Sequence, residues 1–334
     1  EMLALKKKLS ESKSANEKQR TALMYAQKSK AMSVSKMYEK GGDYYYGRKG
    51  RSKDYHEAIR WYQKAADLGN ADAQTDLGFM YFEGIGIHQD DKLAIDMFQK
   101  AAVQGNASAQ FNLGSMHKQG RGVPQSHKQA LYWFKKAADS GVVQAQYNLG
   151  VMYGVGTSIG QSYKQALYWY QKAAGHGYSS AQLNLGAMYD RGNGVEQNYK
   201  KALYWYQKAA DQGSSSAQSN LGTMYEKGRG VEQNYKKALY WYQKAADQGE
   251  SLAQNNLGAM YDGGDGVEQN YKKALYWYQK AADQGDADAQ AYLGLMNGNS
   301  LGVEQNYKQA LFWLQKAADQ GNDMAIELLN QVKK

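Results

Sequence analysis

The chain has no cysteine and only one proline, Pro124, in 334 residues. Without cysteine there are no disulfides and no thiolate metal sites, and the compartment stays open. Proline is the strongest helix breaker. Its scarcity, beside abundant Ala, Gln, Lys and 29 Tyr, points to a helical chain. No apolar run is long enough to cross a membrane as a helix, and no signal-peptide pattern is visible. The chain begins with Glu1 rather than Met, so a fragment or a processed product is expected. Histidine is scarce: His56, His88, His117, His127 and His176 form no i, i+4 pair and never recur at corresponding positions. Neither a metal site nor a cofactor is expected.

What is present suffices for a core, since 43% of the residues are apolar. The net charge of +9 is unevenly placed. Residues 1–60 carry 15 Lys/Arg against 7 Asp/Glu, and the remainder carries 26 against 25. The basic character belongs to the N-terminal segment. Residues 1–20, EMLALKKKLSESKSANEKQR, read as a basic lead-in helix with Met2, Leu5 and Leu9 as a short apolar stripe. A solvated helix is the expectation; peripheral contact with an acidic partner or an anionic membrane surface is the alternative. The rest of the chain is too nearly neutral for a nucleic-acid reader, which needs a basic groove along its length.

Three identical stretches, VEQNYKKALYWYQKAADQG, occupy Val195–Gly213, Val231–Gly249 and Val267–Gly285. The period of 36 extends well beyond them. Leu-Gly pairs end at Gly78, Gly114, Gly150, Gly186, Gly222, Gly258 and Gly294. A Trp recurs at Trp61, Trp133, Trp169, Trp205, Trp241, Trp277 and Trp313, with Met97 in the missing slot. Such a fixed period marks a repeat architecture. Each unit reads AxAQxxLGxMYxxGxGVxQxYKxALYWYQKAADxG and holds two helical patterns. Ala217, Leu221, Met224 and Tyr225 form one apolar stripe. Ala238, Tyr242, Ala245 and Ala246 form the other. GxGV and DQG supply the glycines that end them. Ala202, Ala209 and Ala210 permit close helix approach, Gly186 avoids a collision with its partner helix, and Trp205 and Tyr206 are expected to fill gaps between hairpins. One hairpin cannot bury its own apolar face, so an all-α stack of hairpins is expected.

The motif residues LG, MY, GxGV, KAL and KAA resemble the Sel-one-like repeat (SLR) family, relatives of the tetratricopeptide repeats with a longer Gly-rich loop. The resemblance implies a right-handed superhelical solenoid with the first helix of each hairpin, helix A, on the concave side. It also implies an adaptor or scaffold role in protein complexes, and many bacterial members are exported and face the envelope or a host. The family has no common catalytic residue, so none is carried over, and no enzyme is expected. Eight hairpins are expected over residues 21–322, followed by a capping helix at 323–334. The first hairpin is degenerate: its MY motif is read at Met37-Tyr38, its LG position at Val34-Ser35, and a loop insertion near 41–53.

If the frame is constant, specificity belongs where it varies. Three positions of helix A are read as facing away from the core: those after AQ, after LG and after Met-Tyr. Together with a neighbouring Asn row they give a candidate concave site for a protein or peptide partner: Thr75, Phe79, Phe82, Phe111, Asn112, Ser115, Lys118, Tyr147, Asn148, Val151, Leu183 and Asn184. Its N-terminal half is aromatic, as exposed apolar interaction sites often are. Farther along, Glu226 and Asp262 make it acidic. The Asn residues could grip a peptide backbone or bond to the adjacent hairpin's backbone; regular repetition suits either, and the second is expected. On helix B, Tyr132, Tyr168, Tyr204, Tyr240, Tyr276 and Phe312 form a candidate convex stripe, or pack on neighbouring Lys stems. The Gly-rich loops follow helices rather than strands and lack a phosphate-loop lysine, and DGGDGVEQ lacks calcium-ligand spacing. The alternative function is a carbohydrate-binding or hydrolytic envelope protein using the same aromatic groove.

Overall fold

In the computed structural model, residues 18–20, 33–156 and 160–332 are described. They form consecutive helix pairs: α1 (33–46) with α2 (Tyr55–Asp67), α3 (Ala71–Glu83) with α4 (Asp91–Val103), α5 (Ala107–Gln119) with α6 (His127–Asp139), and α7 (Val143–Val155) with α8 (Tyr163–Gly175). The series continues with α9 (Ser179–Arg191), α10 (Tyr199–Asp211), α11 (Ser215–Lys227), α12 (Tyr235–Asp247), α13 (Ser251–Gly263), α14 (Tyr271–Asp283), α15 (Ala287–Gly298) and α16 (Tyr307–Asp319). A single C-terminal helix, α17 (Asp323–Val332), ends it. The fold is therefore the all-α hairpin solenoid that the period implies, with odd-numbered helices as A and even-numbered as B. The basic lead-in lies outside the described residues except for 18–20, which are helical. By internal packing the chain forms two units, one reaching Leu149 and the other comprising Gly150–Gly156 and Gly160–Lys334.

Each motif letter has a local cause. Helix B opens on an Asn, Ser or Asp cap: Asn198 Oδ1 accepts from the Lys201 N–H at 2.9 Å, a bond that satisfies one of the orphan donors at a helix start. In GxGV the first glycine ends helix A in the left-handed region, as Gly228 does at φ 64°. The second glycine answers to a neighbour. A Cβ on Gly230 would lie 2.5 Å from the backbone of Tyr199, at the start of the preceding hairpin's helix B. The loop Gln then ties back: Gln233 Nε2 donates to the Glu226 carbonyl at 2.8 Å.

Within a hairpin, the Leu-Gly glycine lets helix B press its aromatic against helix A. A Cβ on Gly186 would meet the Tyr206 ring at 2.7 Å. Tyr206 thus fills a gap inside its own hairpin, not between hairpins as expected. The Trp position does the bridging: Trp133 of α6 packs with Phe98 and Ala102 of α4 and Leu113 of α5. A second brace joins successive hairpins. Gln182 Nε2 donates to the Ala174 carbonyl behind it at 3.3 Å, and its Oε1 accepts from Gln212 Nε2 at 2.7 Å. The same pair recurs from Gln248 to Gln218, Gln284 to Gln254 and Gln320 to Gln290.

The first hairpin departs from its expected register. Residues 41–46, read as part of a loop insertion, continue helix α1. A Cβ on Gly41 would meet the Tyr62 ring at 2.5 Å, as one on Gly150 would meet Tyr170. Lys40-Gly41 therefore takes the LG place, and Asp43-Tyr44 takes the MY place. Gly41-Gly42 looks like a helix break in sequence, but here it is the close approach that the hairpin requires. Asp43 is 8% exposed in what is elsewhere a Met slot. Its carboxylate is held by Lys49 Nζ at 3.1 Å and Arg51 at 3.2 Å, partners a buried charge needs.

Candidate functional site: the helix-A face

The row after AQ is not a free surface. Thr75 is 7% exposed and donates its hydroxyl to the Ala71 carbonyl at 2.8 Å. Ser219, Asn255 and Ala291 at the same place are also buried. A stacked helix A has neighbours on two sides, so this row turns toward the next hairpin. The larger Phe111, Tyr147 and Leu183 emerge from it only half-buried. Phe111 leans on Phe134, with ring centroids 5.7 Å apart.

The row after LG does face outward. Phe79 is 41% exposed, while Ser115, Val151 and Ala187 are half-buried. In the row after Met-Tyr, Phe82 lies under the Arg121 guanidinium, 3.7 Å from the ring centroid. Arg121 is in turn fixed by Asp91 at 2.7 Å and by the Phe82 carbonyl at 3.2 Å. Lys118 Nζ reaches Asn148 Oδ1 at 3.3 Å. In the second unit this row is acidic. Glu226 Oε2 accepts from the Tyr242 hydroxyl at 2.5 Å. Burial first, then that bond, pushes the Tyr242 phenol up. Burial also raises the Asp262 carboxyl.

The Asn row makes side-chain contacts with the preceding hairpin, from Lys118 to Asn148 and between Tyr242 and Asn256, rather than the expected backbone bonds. Asn148 Nδ2 donates to the Gln144 carbonyl of its own helix at 3.0 Å. The side chains of Asn112, Asn184 and Asn220 make no hydrogen bond among the described residues, although all three are half-buried. The stacking role belongs to the buried Gln before this row, which the sequence reading passed over. Its signal was available: the Gln of AQ and the Gln of DQG recur thirty residues apart.

On the B helices, Tyr132, Tyr168, Tyr204, Tyr240, Tyr276 and Phe312 are all about half exposed. Each stands edge-on to the following Trp, as Tyr168 does at 4.9 Å from Trp169. A Lys four residues on lies over each ring, as Lys172 does at 4.8 Å from Tyr168. These residues pack on Lys stems and still present one edge to solvent.

The repeat identity is decided by the sequence profile of the Sel1 repeat. It matches residues 37–70, 71–106, 107–142, 143–178, 179–214, 215–250, 251–286 and 287–322. The chain belongs to the Sel1 repeat family. Sel1 repeat proteins generally act as protein-interaction scaffolds and are typically non-catalytic. Among solved structures, this Sel1 chain is similar to c5321, a protective antigen present in uropathogenic Escherichia coli strains and displaying an SLR fold. Identity is 36% and the TM-score 0.83 over 92% of this chain. The chain spans 66% of that antigen's length, just under two thirds. It is also similar to a Sel1 repeat protein from Oxalobacter formigenes, with 35% identity and a TM-score of 0.70 over 90% of this chain and 86% of the other. None of the curated proteins matches the chain. Among the described residues no helix is long and apolar enough to cross a membrane.

Proposed function

We propose that this Sel1 array is a non-enzymatic adaptor that binds a protein or peptide through its helix-A face, the concave side in the superhelix that the family resemblance implies. One observation carries the reading. Phe79 is 41% exposed on a face where the equivalent residues are small or aliphatic, so it serves no packing role that the other repeats need. Phe111 and Tyr147 offer further apolar edges in the same unit, and Asn112 offers an uncommitted amide. Similarity to an E. coli protective antigen supports a setting at a bacterial envelope facing a host.

The test is a pull-down from source-cell and host lysates with the intact chain, a Phe79→Lys variant and a Tyr132→Ala variant. Phe79 is preferred to Phe111, whose contact with Phe134 would confound a loss of binding with a loss of packing. Equal helicity and Tm are required of all three. A partner kept by the intact chain and by Tyr132→Ala but lost by Phe79→Lys supports the reading. Equal recovery by the intact chain and Phe79→Lys overturns it. Loss in Tyr132→Ala alone moves the site to the B-helix stripe.

A further inference from the structure

The last hairpin breaks a rule that the other seven keep. From Tyr62 to Tyr278, every B helix presses a Tyr or Phe ring on the Leu-Gly glycine or its equivalent, but α16 carries Leu314 there. The close approach itself is retained. A Cβ on Gly294 would lie 2.6 Å from Leu314 Cγ, as one on Gly258 would lie 2.7 Å from the Tyr278 ring. Leu314 thus fills the inner part of the ring's place and is too short for the outer part. Two neighbouring places have changed with it. Tyr292 of α15 stacks on Tyr278, with ring centroids 4.9 Å apart, and one repeat on α17 carries Leu328. Gly298 stands where Glu226 and Asp262 stand in their repeats. A Cβ there would meet only Ala310 Cβ among the described residues, at 3.7 Å.

These three changes leave a cavity of about 310 Å³ between α15, α16 and α17. Its floor, Gly294, Ala310 and Leu314, is buried, and its walls, Leu295 and Leu328, are half-buried. The polar residues that line it, Asn299, Tyr307 and Gln331, are exposed and belong to its mouth. An apolar cavity of roughly 150 Å³ takes up benzene, so one ring with a short substituent fits here. The far end of the space decides which ring. The Tyr242 hydroxyl has Glu226, Thr223 and Asn256 as partners. Two repeats on, Gly298, Leu295 and Leu328 take those three places. A hydroxyl brought there loses all three partners, and burying an unpaired hydroxyl is unfavourable. A ring without one suits the position, as the buried Phe134 shows in its own hairpin.

We propose that this cavity binds one uncharged benzene ring, in the place that the missing ring leaves. A free aromatic molecule and a phenylalanine side chain share that ring, and the probes below separate them. The binding requires nothing of the Phe79 face.

Toluene is titrated into the full chain while the methyl resonances of Leu295, Leu314 and Leu328 are followed by NMR. p-Cresol adds the tyrosine hydroxyl, methylcyclohexane is apolar but not flat, and N-acetyl-phenylalanine N-methylamide presents the ring on a peptide backbone. Toluene should saturate. p-Cresol should bind about tenfold more weakly, as for a buried hydroxyl left unpaired. Methylcyclohexane should also bind more weakly, because its puckered ring is thicker than the space a flat one leaves. Leu314→Phe, which restores a ring from within, should abolish toluene binding. Gly298→Leu fills the same cavity from α15 and decides the matter if Leu314→Phe fails to fold. No saturation with either toluene or the phenylalanine probe, undiminished toluene binding in a folded filled variant, or p-cresol or methylcyclohexane binding as tightly as toluene would overturn the proposal. Tighter binding of the phenylalanine probe than of toluene assigns the ring to a peptide; the reverse order assigns it to a free molecule. Because toluene needs no partner, failure here leaves the Phe79→Lys result standing, and failure there leaves this one readable.

Discussion

Asp262 is half-buried near Tyr278, whose hydroxyl is buried without a hydrogen-bond partner among the described residues. Burial holds the Asp262 carboxyl above its ordinary value of 3.8. A raised folded-state pKa means that the folded chain prefers the protonated form. The charge opposes folding at neutral pH, and that opposition fades as pH falls through the raised pKa. Asp262→Asn should therefore unfold at a higher temperature than the parent at pH 7. The advantage should shrink on acidification and vanish below 3.8, where the parent carboxyl is neutral folded or unfolded. Thermal melts across that range check the sign; a variant less stable at pH 7 would show that Asp262 has a favourable partner. At Gly186 the geometry is less forgiving. Ala there brings a carbon to 2.7 Å of the Tyr206 ring, and overpacking of this kind costs about 1–3 kcal/mol. Urea unfolding of Gly186→Ala should show that loss despite Ala's better helix propensity.

Between elements, the buried Gln bonds the carbonyl of the preceding hairpin and is held by a second Gln at the end of its own hairpin's helix B. That second bond is missing at two places, Gln110 and Gln146. Gln110 keeps its bond to the Ala102 carbonyl, but its Oε1 is buried with no partner among the described residues. The residue thirty positions on is Ser140, too short to reach it, where Gln104 reaches Gln74 at 2.8 Å. An unsatisfied buried acceptor costs about 1–3 kcal/mol. Ser140→Gln should recover roughly 1 kcal/mol of stability, seen as a higher urea midpoint with an unchanged slope. The same substitution in a Gln110→Ala background should gain nothing. Equal gains in both backgrounds would locate the effect in the helix end instead.

For the whole molecule, stability is built from nearest neighbours within each unit, where consecutive hairpins pack together, as α4 does with α5 and α10 with α11. The C-terminal helix α17 closes this chain of contacts. It buries Ala325 and Leu329 against Ala291, Leu314 and Ala317, and Leu329 alone contributes about 1.5–3 kcal/mol. Deleting residues 323–334 should raise amide exchange throughout α15 and α16 and leave α2 and α3 unchanged. Exchange that rises equally everywhere would show long-range cooperativity across the array.

The sequence by itself determined the period, the number of hairpins, the helix caps and the terminal helix. Each is written in local chemistry: a glycine where φ is positive, an Asn where an N–H is orphaned, an apolar residue every third or fourth position. It also placed Phe79 on an open face. Tertiary structure alone decided which residues that face contains. Thr75, Ser219 and Asn255 look outward on a wheel with one core direction, but a stacked helix has neighbours on two sides. Phe82 reads as exposed until Arg121, 39 residues away, is folded over it. The first hairpin's register turned on Gly41 meeting Tyr62, a contact that a Gly-Gly pair in a charged stretch does not announce. Burial is a property of the neighbours a residue acquires, and only the stacked chain supplies them.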